Sequence, residues 1–263
     1  MDFGKIIKRA LRYPLNFKLF LFLYLFTLFL TLLTVFSGSI SALIYPQFSS
    51  PMSFGIFFIP IFLISFFVGN LLAAFYFYDA SKYFPRMKYN KIGKSFEYAK
   101  KRYIPLLETQ ILLFVVSVSF FFIFGGFTLF AFFDVFPMSY VIGIIPGIIA
   151  LLLISFFLFL SPIVCVVEKK SPIDSLKGSM KVIKKNKANT FIVLLLIFVI
   201  SLSISVIGSL PSSIYSFYTT GITTISIVLT AFELLFGTYA GLFSYSAQVN
   251  YYLSIKKKTK KKK

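Results

Sequence analysis

Charge is what this sequence lacks most. Residues 19–78 contain no Asp, Glu, Lys or Arg. A soluble domain meets a charged residue every few positions, so a lipid bilayer rather than water must be the solvent for that stretch. Histidine is absent, which removes the usual acid–base group at neutral pH and the commonest metal ligand. Tryptophan is absent as well. The single cysteine, Cys165, excludes an internal disulfide. Near the end of an apolar run it reads as a small apolar core residue rather than a reactive thiol, and the redox compartment stays open. Carboxylates are scarce, with eight Asp and Glu against 27 Lys and Arg. No metal set, nucleophile–base pair or paired carboxylates can be assembled within the apolar segments, so neither an enzyme nor a resident cofactor is expected.

What remains is strongly apolar: 58% of residues are hydrophobic and 37 are Phe. An AT-rich coding bias accounts for the Phe, Ile and Lys usage, so phenylalanine abundance carries no functional reading. Lys5, Lys8, Arg9 and Arg12 precede an apolar run from Leu19 to Phe36. That run is longer than the core of a signal peptide, about 7–15 residues, and reads as an uncleaved first span. Six segments suit a bilayer crossing, near 18–44, 54–78, 108–133, 139–167, 190–210 and 222–252. Three connections, Tyr45 to Ser53, Asp134 to Met138 and Pro211 to Gly221, carry no basic residue. All 27 Lys and Arg fall instead in the N-terminal segment, the 79–107 loop, the 168–189 loop and the C-terminal tail. With six spans these four regions share one face, which the positive-inside rule makes cytoplasmic. The expectation is an all-α, multi-pass protein of the cytoplasmic membrane with both termini inside. A single membrane domain over 1–255 is followed by an unstructured polylysine tail, 256–263. Tyr13, Tyr45, Tyr103, Tyr140, Tyr215, Tyr218, Tyr251 and Tyr252 flank the spans as an aromatic belt.

The basic segments repeat a pattern. Phe3, Ile6, Ile7, Ala10 and Leu11 share one helical face; so do Ile92, Phe96, Ala99 and Tyr103, and again Ile173, Leu176, Met180 and Ile183. Lys and Arg occupy the other faces. Ser171-Pro172, with Asp174 in the first turn, marks the start of the third helix. The chain thus reads as three hairpins, each preceded by a basic amphipathic helix on the cytoplasmic side. These helices suit a bilayer with anionic headgroups, with Lys94, Lys101, Lys177, Lys181, Lys184 and Lys185 as contacts. The alternative is that they cap the bundle and enforce topology. Charge confined to juxtamembrane segments, with no nucleic-acid-binding fold, argues against a nucleic-acid partner.

Small residues four apart, Gly69/Ala73, Gly143/Gly147, Ser201/Ser205 and Gly237/Gly241, suit close helix packing within the bundle. A homo-oligomer or a membrane-protein partner is the alternative use. Pro146 and Pro162 are expected to bend the fourth span. Within the sixth, Glu233 lies about 16 Å from Ile222 at about 1.5 Å per residue, near the midplane. Thr223, Ser226, Thr230, Glu233, Gly237, Gly241, Ser244 and Gln248 recur at three- and four-residue steps as a small, polar stripe. No span supplies a cation to pair with Glu233, and Asn70 lies at comparable depth as a hydrogen-bond partner. Two readings stay open: a structural interhelical hydrogen bond, or a polar path that carries a proton or a cationic substrate.

The stretch SPIVCVVEKKSPIDSLKGSMKVIKKNKANTF, Ser161 to Phe191, resembles a recurring segment of prokaryotic six-helix membrane proteins. These include archaeal membrane domains of unknown function and the membrane domain joined to some glycerophosphodiester phosphodiesterases. The matching positions are Pro162, Val164, Val167, Glu168, Leu176, Ser179, Lys184 and Asn186, with Ser175 where Ala is usual. The resemblance implies the architecture and carries over no activity, since these 263 residues include no phosphodiesterase domain. The expected function is non-enzymatic organisation of lipid or partner proteins, with a transporter or permease component as the alternative.

Overall fold

A backbone in lipid must satisfy its own N–H and C=O groups, so an apolar run of this length becomes helix. The computed structural model describes residues 2–16, 18, 20–29, 31, 51–126, 139–218 and 224–261, all its regular elements are helical, and these residues include no strand. In chain order they are α1 (Phe3–Arg12), α2 (Phe20–Phe29), α3 (Pro51–Arg86), α4 (Ile92–Phe121), α5 (Ser139–Leu158), α6 (Ser161–Glu168), α7 (Pro172–Lys185), α8 (Lys187–Tyr218) and α9 (Thr224–Lys261). A 3-10 turn at Tyr13–Leu15 follows α1, and a π turn at Phe122–Gly126 follows α4. Among the described residues, five stretches are long and apolar enough to cross a membrane: Leu63–Arg86, Ile92–Gly125, Ile145–Glu168, Lys187–Tyr215 and Ile225–Lys257. Most of the expected first span, the connections at 45–50 and 134–138, and residues 219–223 lie outside the described residues.

Several expected boundaries move. The second amphipathic segment is not a separate helix: it forms the first turns of α4 and runs straight into the span. Pro105 lies inside that helix, and the Thr109 hydroxyl donates to its carbonyl at 2.7 Å. The carbonyl that loses its usual donor to the proline is that of Lys101, one turn earlier. Pro146 is likewise accommodated within α5, whereas Pro162 opens α6 at a break in the expected fourth span. Proline suits a first helical turn because its missing N–H has no intrahelical acceptor there. The third amphipathic helix, α7, begins at the expected cap: Ser171 Oγ accepts from the Asp174 N–H at 3.3 Å and donates to Asp174 Oδ2 at 2.7 Å. Asn186 ends it, its side-chain amide donating to the Val182 carbonyl. At the C-terminus the helix continues to Lys261, past the expected start of the tail at 256.

Helices α8 and α9 pair along their length, α9 also packs on α3 and α1, α3 on α4, and α4 on α5. The buried core lies toward one end, built from Leu72 to Phe84 of α3, Leu160 to Val166 around α6, and Leu242 to Ile255 of α9, with Tyr13, Ala99, Leu106 and Ile183. All four basic segments meet there: Asn250 bonds Ile6, Tyr13 bonds Asp79, Arg102 bonds Lys170, and Lys256 pairs with Glu168. Away from that end, large apolar side chains such as Phe114, Leu152, Phe198 and Val228 are exposed, as lipid-facing side chains should be.

Candidate functional site at the basic end of the bundle

The polar chemistry that ties the chain together is a layer at the basic end. Asp79, on α3, is buried and faces the 3-10 turn after α1. Its Oδ2 accepts from the Tyr13 hydroxyl at 2.9 Å and its Oδ1 from Ser95 Oγ at 3.0 Å, and the Asn90 backbone N–H adds a third donor. The Asn90 side-chain amide in turn donates to Ser95 Oγ at 3.1 Å. A buried carboxylate without a cation is tolerable when its oxygens are saturated with donors in this way. Tyr13 is fully buried against Tyr83, ring centroids 5.4 Å apart, and Tyr83 stacks on Tyr89 at 4.6 Å. Burial, and then the neighbouring Asp79 charge, pushes the Tyr13 phenol well above its ordinary value; Tyr89 moves the same way, chiefly by burial. The Tyr89 hydroxyl faces the carbonyls of Arg12 and Tyr13, both at 3.2 Å.

A second cluster surrounds Glu168 at the end of α6. Lys170 and Lys256 pair with its two oxygens, each at 2.8 Å, and the Tyr252 hydroxyl donates to it. Lys256, expected in a free tail, is therefore engaged. Arg102 clamps the turn that follows Glu168: one guanidinium nitrogen reaches the carbonyls of Cys165 at 2.7 Å and Lys170 at 2.8 Å. Cys165 is buried, as expected.

The intramembrane candidates are arranged differently from the expectation. Glu233 does not meet Asn70: its Oε2 accepts from Ser212 Oγ at 2.8 Å, across the α8–α9 pair, while Asn70 donates to the Phe66 carbonyl of its own helix. Thr230 likewise turns back on α9, donating to the Ser226 carbonyl at 2.8 Å. Rotation of α9 explains this. Its buried face carries Leu242, Phe243, Ser246, Ala247 and Asn250, so the stripe through Gly237, Gly241, Ser244 and Gln248 lies beside that face, partly exposed. Ser246 and Asn250 of the buried face donate to the Ala10 and Ile6 carbonyls, bonding α9 to α1. A stripe of small residues marks a contact only if the helix turns it inward.

The glycines divide the same way. A Cβ on Gly237 or Gly241 would meet no atom within 4 Å among the described residues. On Gly147 it would stand 3.0 Å from the Phe121 ring and 3.2 Å from Gly125 Cα, so that glycine does permit a close approach of α5 to the end of α4. Gly143 lies on α5 one turn earlier. The tightest approach is at Gly208, where an added Cβ would overlap Phe236. Gly208 forms a small pair with Ser212, four residues on, that is not among the pairs singled out from the sequence.

The lysines expected at the lipid surface, Lys94, Lys101, Lys177, Lys181, Lys184 and Lys185, are all exposed. Lys101 also pairs with Glu97 on the same helix at 2.9 Å. The apolar arc of α7 is split rather than buried whole: Ser175, Ser179 and Ile183 face the bundle, while Ile173 and Met180 point outward, 58% and 37% exposed. Serines pack here because a short side chain lets the helix lie close, with Ser179 Oγ donating to the Phe157 carbonyl at 2.9 Å.

No curated protein and no solved structure matches this chain. A family described as a domain of unknown function, DUF7847, matches residues 1–255, and no relation to the phosphodiesterase-linked membrane domains is shown. The chain belongs to the DUF7847 family.

Proposed function

We propose that this protein is a non-enzymatic, multi-pass protein of the cytoplasmic membrane that gathers anionic lipid, and with it partner proteins, at its basic end. The observation that carries this reading is the outward stripe of α7. Ile173, Lys177, Met180 and Lys184 follow steps of four, three and four, so apolar and cationic side chains alternate on one exposed face. An interfacial helix places such apolar side chains among acyl chains and its lysines at headgroups. Beside Ile173, a largely apolar cleft of about 410 Å³ opens between α4 and the start of α7, lined by Ile111, Leu112 and Val115. By the positive-inside rule this end faces the cytoplasm. The hexahelical resemblance of Ser161 to Phe191 fits the same placement.

The hydrogen bond from Ser212 favours the structural reading of Glu233 over a polar path. It gives the carboxyl group a partner within the α8–α9 pair.

The experiment is lipid identification on the full chain purified in mild detergent. Anionic lipid should be enriched over its share of the host membrane. Replacing Lys177, Lys181, Lys184 and Lys185 together by Gln should bring the ratio back toward that share. Equal lipid composition in both proteins would sink the proposal.

A further inference from the structure

A cleft of about 310 Å³ opens at the basic end between α3, α4, the end of α6 and α9, and it is distinct from the surface of α7. Tyr78 and Tyr98 form one wall, stacked with centroids 3.8 Å apart and planes 15° apart. Lys82 holds its ammonium 5.4 Å from the Tyr78 centroid, and Lys169 holds its own 5.8 Å from the Tyr98 centroid. Val167 and Leu253 supply an apolar wall.

Both lysines are exposed, and three features set this cleft apart from the rest of the basic surface. First, neither Lys82 nor Lys169 joins an ion pair among the described residues, and the neighbouring carboxylate, Glu168, is already held by Lys170, Lys256 and Tyr252. The cleft therefore keeps two uncompensated positive charges. Second, the backbone that carries Lys169 is fixed: the residue is left-handed, φ 59°, at the end of α6. The carbonyl three residues before it, Val166, accepts from the Tyr98 hydroxyl at 2.8 Å, and that of Lys170 just after it accepts from Arg102 at 2.8 Å. A non-glycine residue holds that conformation only when its surroundings impose it. Third, the Tyr78 and Tyr98 rings face each other, so the aromatic surface between them is not free to receive a cationic ligand. Two ammonium groups beside an apolar wall, at the level where helices leave the membrane, match a phosphate ester.

We infer that this cleft binds the phosphate group of an anionic phospholipid headgroup or of a soluble phosphate ester, with Lys82 and Lys169 as its cationic ligands and the Tyr78–Tyr98 pair holding them in place. The inference deepens the anionic-lipid reading and rests on it.

The test is native mass spectrometry of the full chain in mild detergent, titrated separately with phosphatidylglycerol, phosphatidylcholine and glycerol 3-phosphate. A discrete phosphatidylglycerol adduct is expected, with affinity at least about tenfold weaker after Lys82→Gln and Lys169→Gln are combined. An adduct with glycerol 3-phosphate that shows the same loss assigns the site to a soluble ester. In the wild-type chain, the bound ligand should also shield Lys82 and Lys169 from amine-reactive labelling, a readout independent of the variant's folding. No anionic adduct, or one unaffected by the double substitution and without shielding, overturns the inference. If the α7 lysine variant loses lipid while the cleft variant keeps it, the cleft falls and the surface reading stands.

Discussion

The Tyr13 hydroxyl donates to Asp79 Oδ2 at 2.9 Å across 66 positions of sequence, and both residues are buried. This single contact fixes the turn after α1 to α3, the helix with the largest buried share among the five candidate spans. Together with the Ser95 hydroxyl and the Asn90 backbone N–H, it gives this buried carboxylate three donors.

Removing one side of that contact is therefore expensive. Tyr13→Phe keeps the ring packing and takes away one donor from Asp79, at an expected cost of about 1.5–3 kcal/mol for a hydrogen bond to a charged group. Asp79→Ala leaves the donors of Tyr13 and Ser95 unpaired and should cost more. Thermal unfolding in a fixed detergent checks the order of the two variants.

The same residue predicts a pH dependence. The Tyr13 phenol lies well above its ordinary value of 10.0, so the folded state holds this proton more tightly than the unfolded state does. Its contribution is complete below pH 10 and is lost as pH rises from there toward the folded value. Unfolding midpoints should fall as pH rises above about 10, and fall less steeply in Tyr13→Phe. Parallel slopes for the two proteins would exclude Tyr13 as a source.

Lys256→Gln removes one of two lysines from Glu168. Both lysines are about two-fifths exposed, so the expected loss is at most about 1 kcal/mol and shrinks with added salt. Glu168→Ala also strips the acceptor from the Tyr252 hydroxyl, for an expected loss of about 1–3 kcal/mol beyond the ion pairs. A salt series on both variants separates the screened part from the unscreened part.

Gly208 and Gly237 offer a paired test of helix contact. Gly208→Ala forces a methyl into Phe236 and should destabilise by about 1–3 kcal/mol. Gly237→Ala meets open space among the described residues and should stay within about 0.5 kcal/mol of the parent. The reverse order would place the α8–α9 contact elsewhere.

Glu233→Gln keeps an oxygen acceptor for Ser212, so stability should change by no more than about 0.5 kcal/mol. Glu233→Leu removes it, but the Ser212 hydroxyl retains the Ser209 carbonyl at 2.9 Å, so even this loss is cushioned. Midpoints of the two variants against the parent decide it.

Much of the architecture is written along the chain. The uncharged stretch 19–78 requires lipid, and helix follows from unsatisfied backbone in lipid. The Ser171 cap, with Pro172 and Asp174, placed the start of α7 correctly because capping depends on residues three apart. The four basic segments meet at one end, joined there by contacts such as Tyr13 with Asp79 and Lys256 with Glu168. What the chain could not reveal is the rotation of each helix about its axis. That rotation decides that α7 turns Ser175 and Ser179 inward and Ile173 outward, and that Glu233 meets Ser212 rather than Asn70. It also decides that Gly208, not Gly237, lies against a neighbour. Composition and periodicity define faces; only the packing of all the helices together selects which face each one buries, because that choice is settled by contacts between residues far apart in sequence.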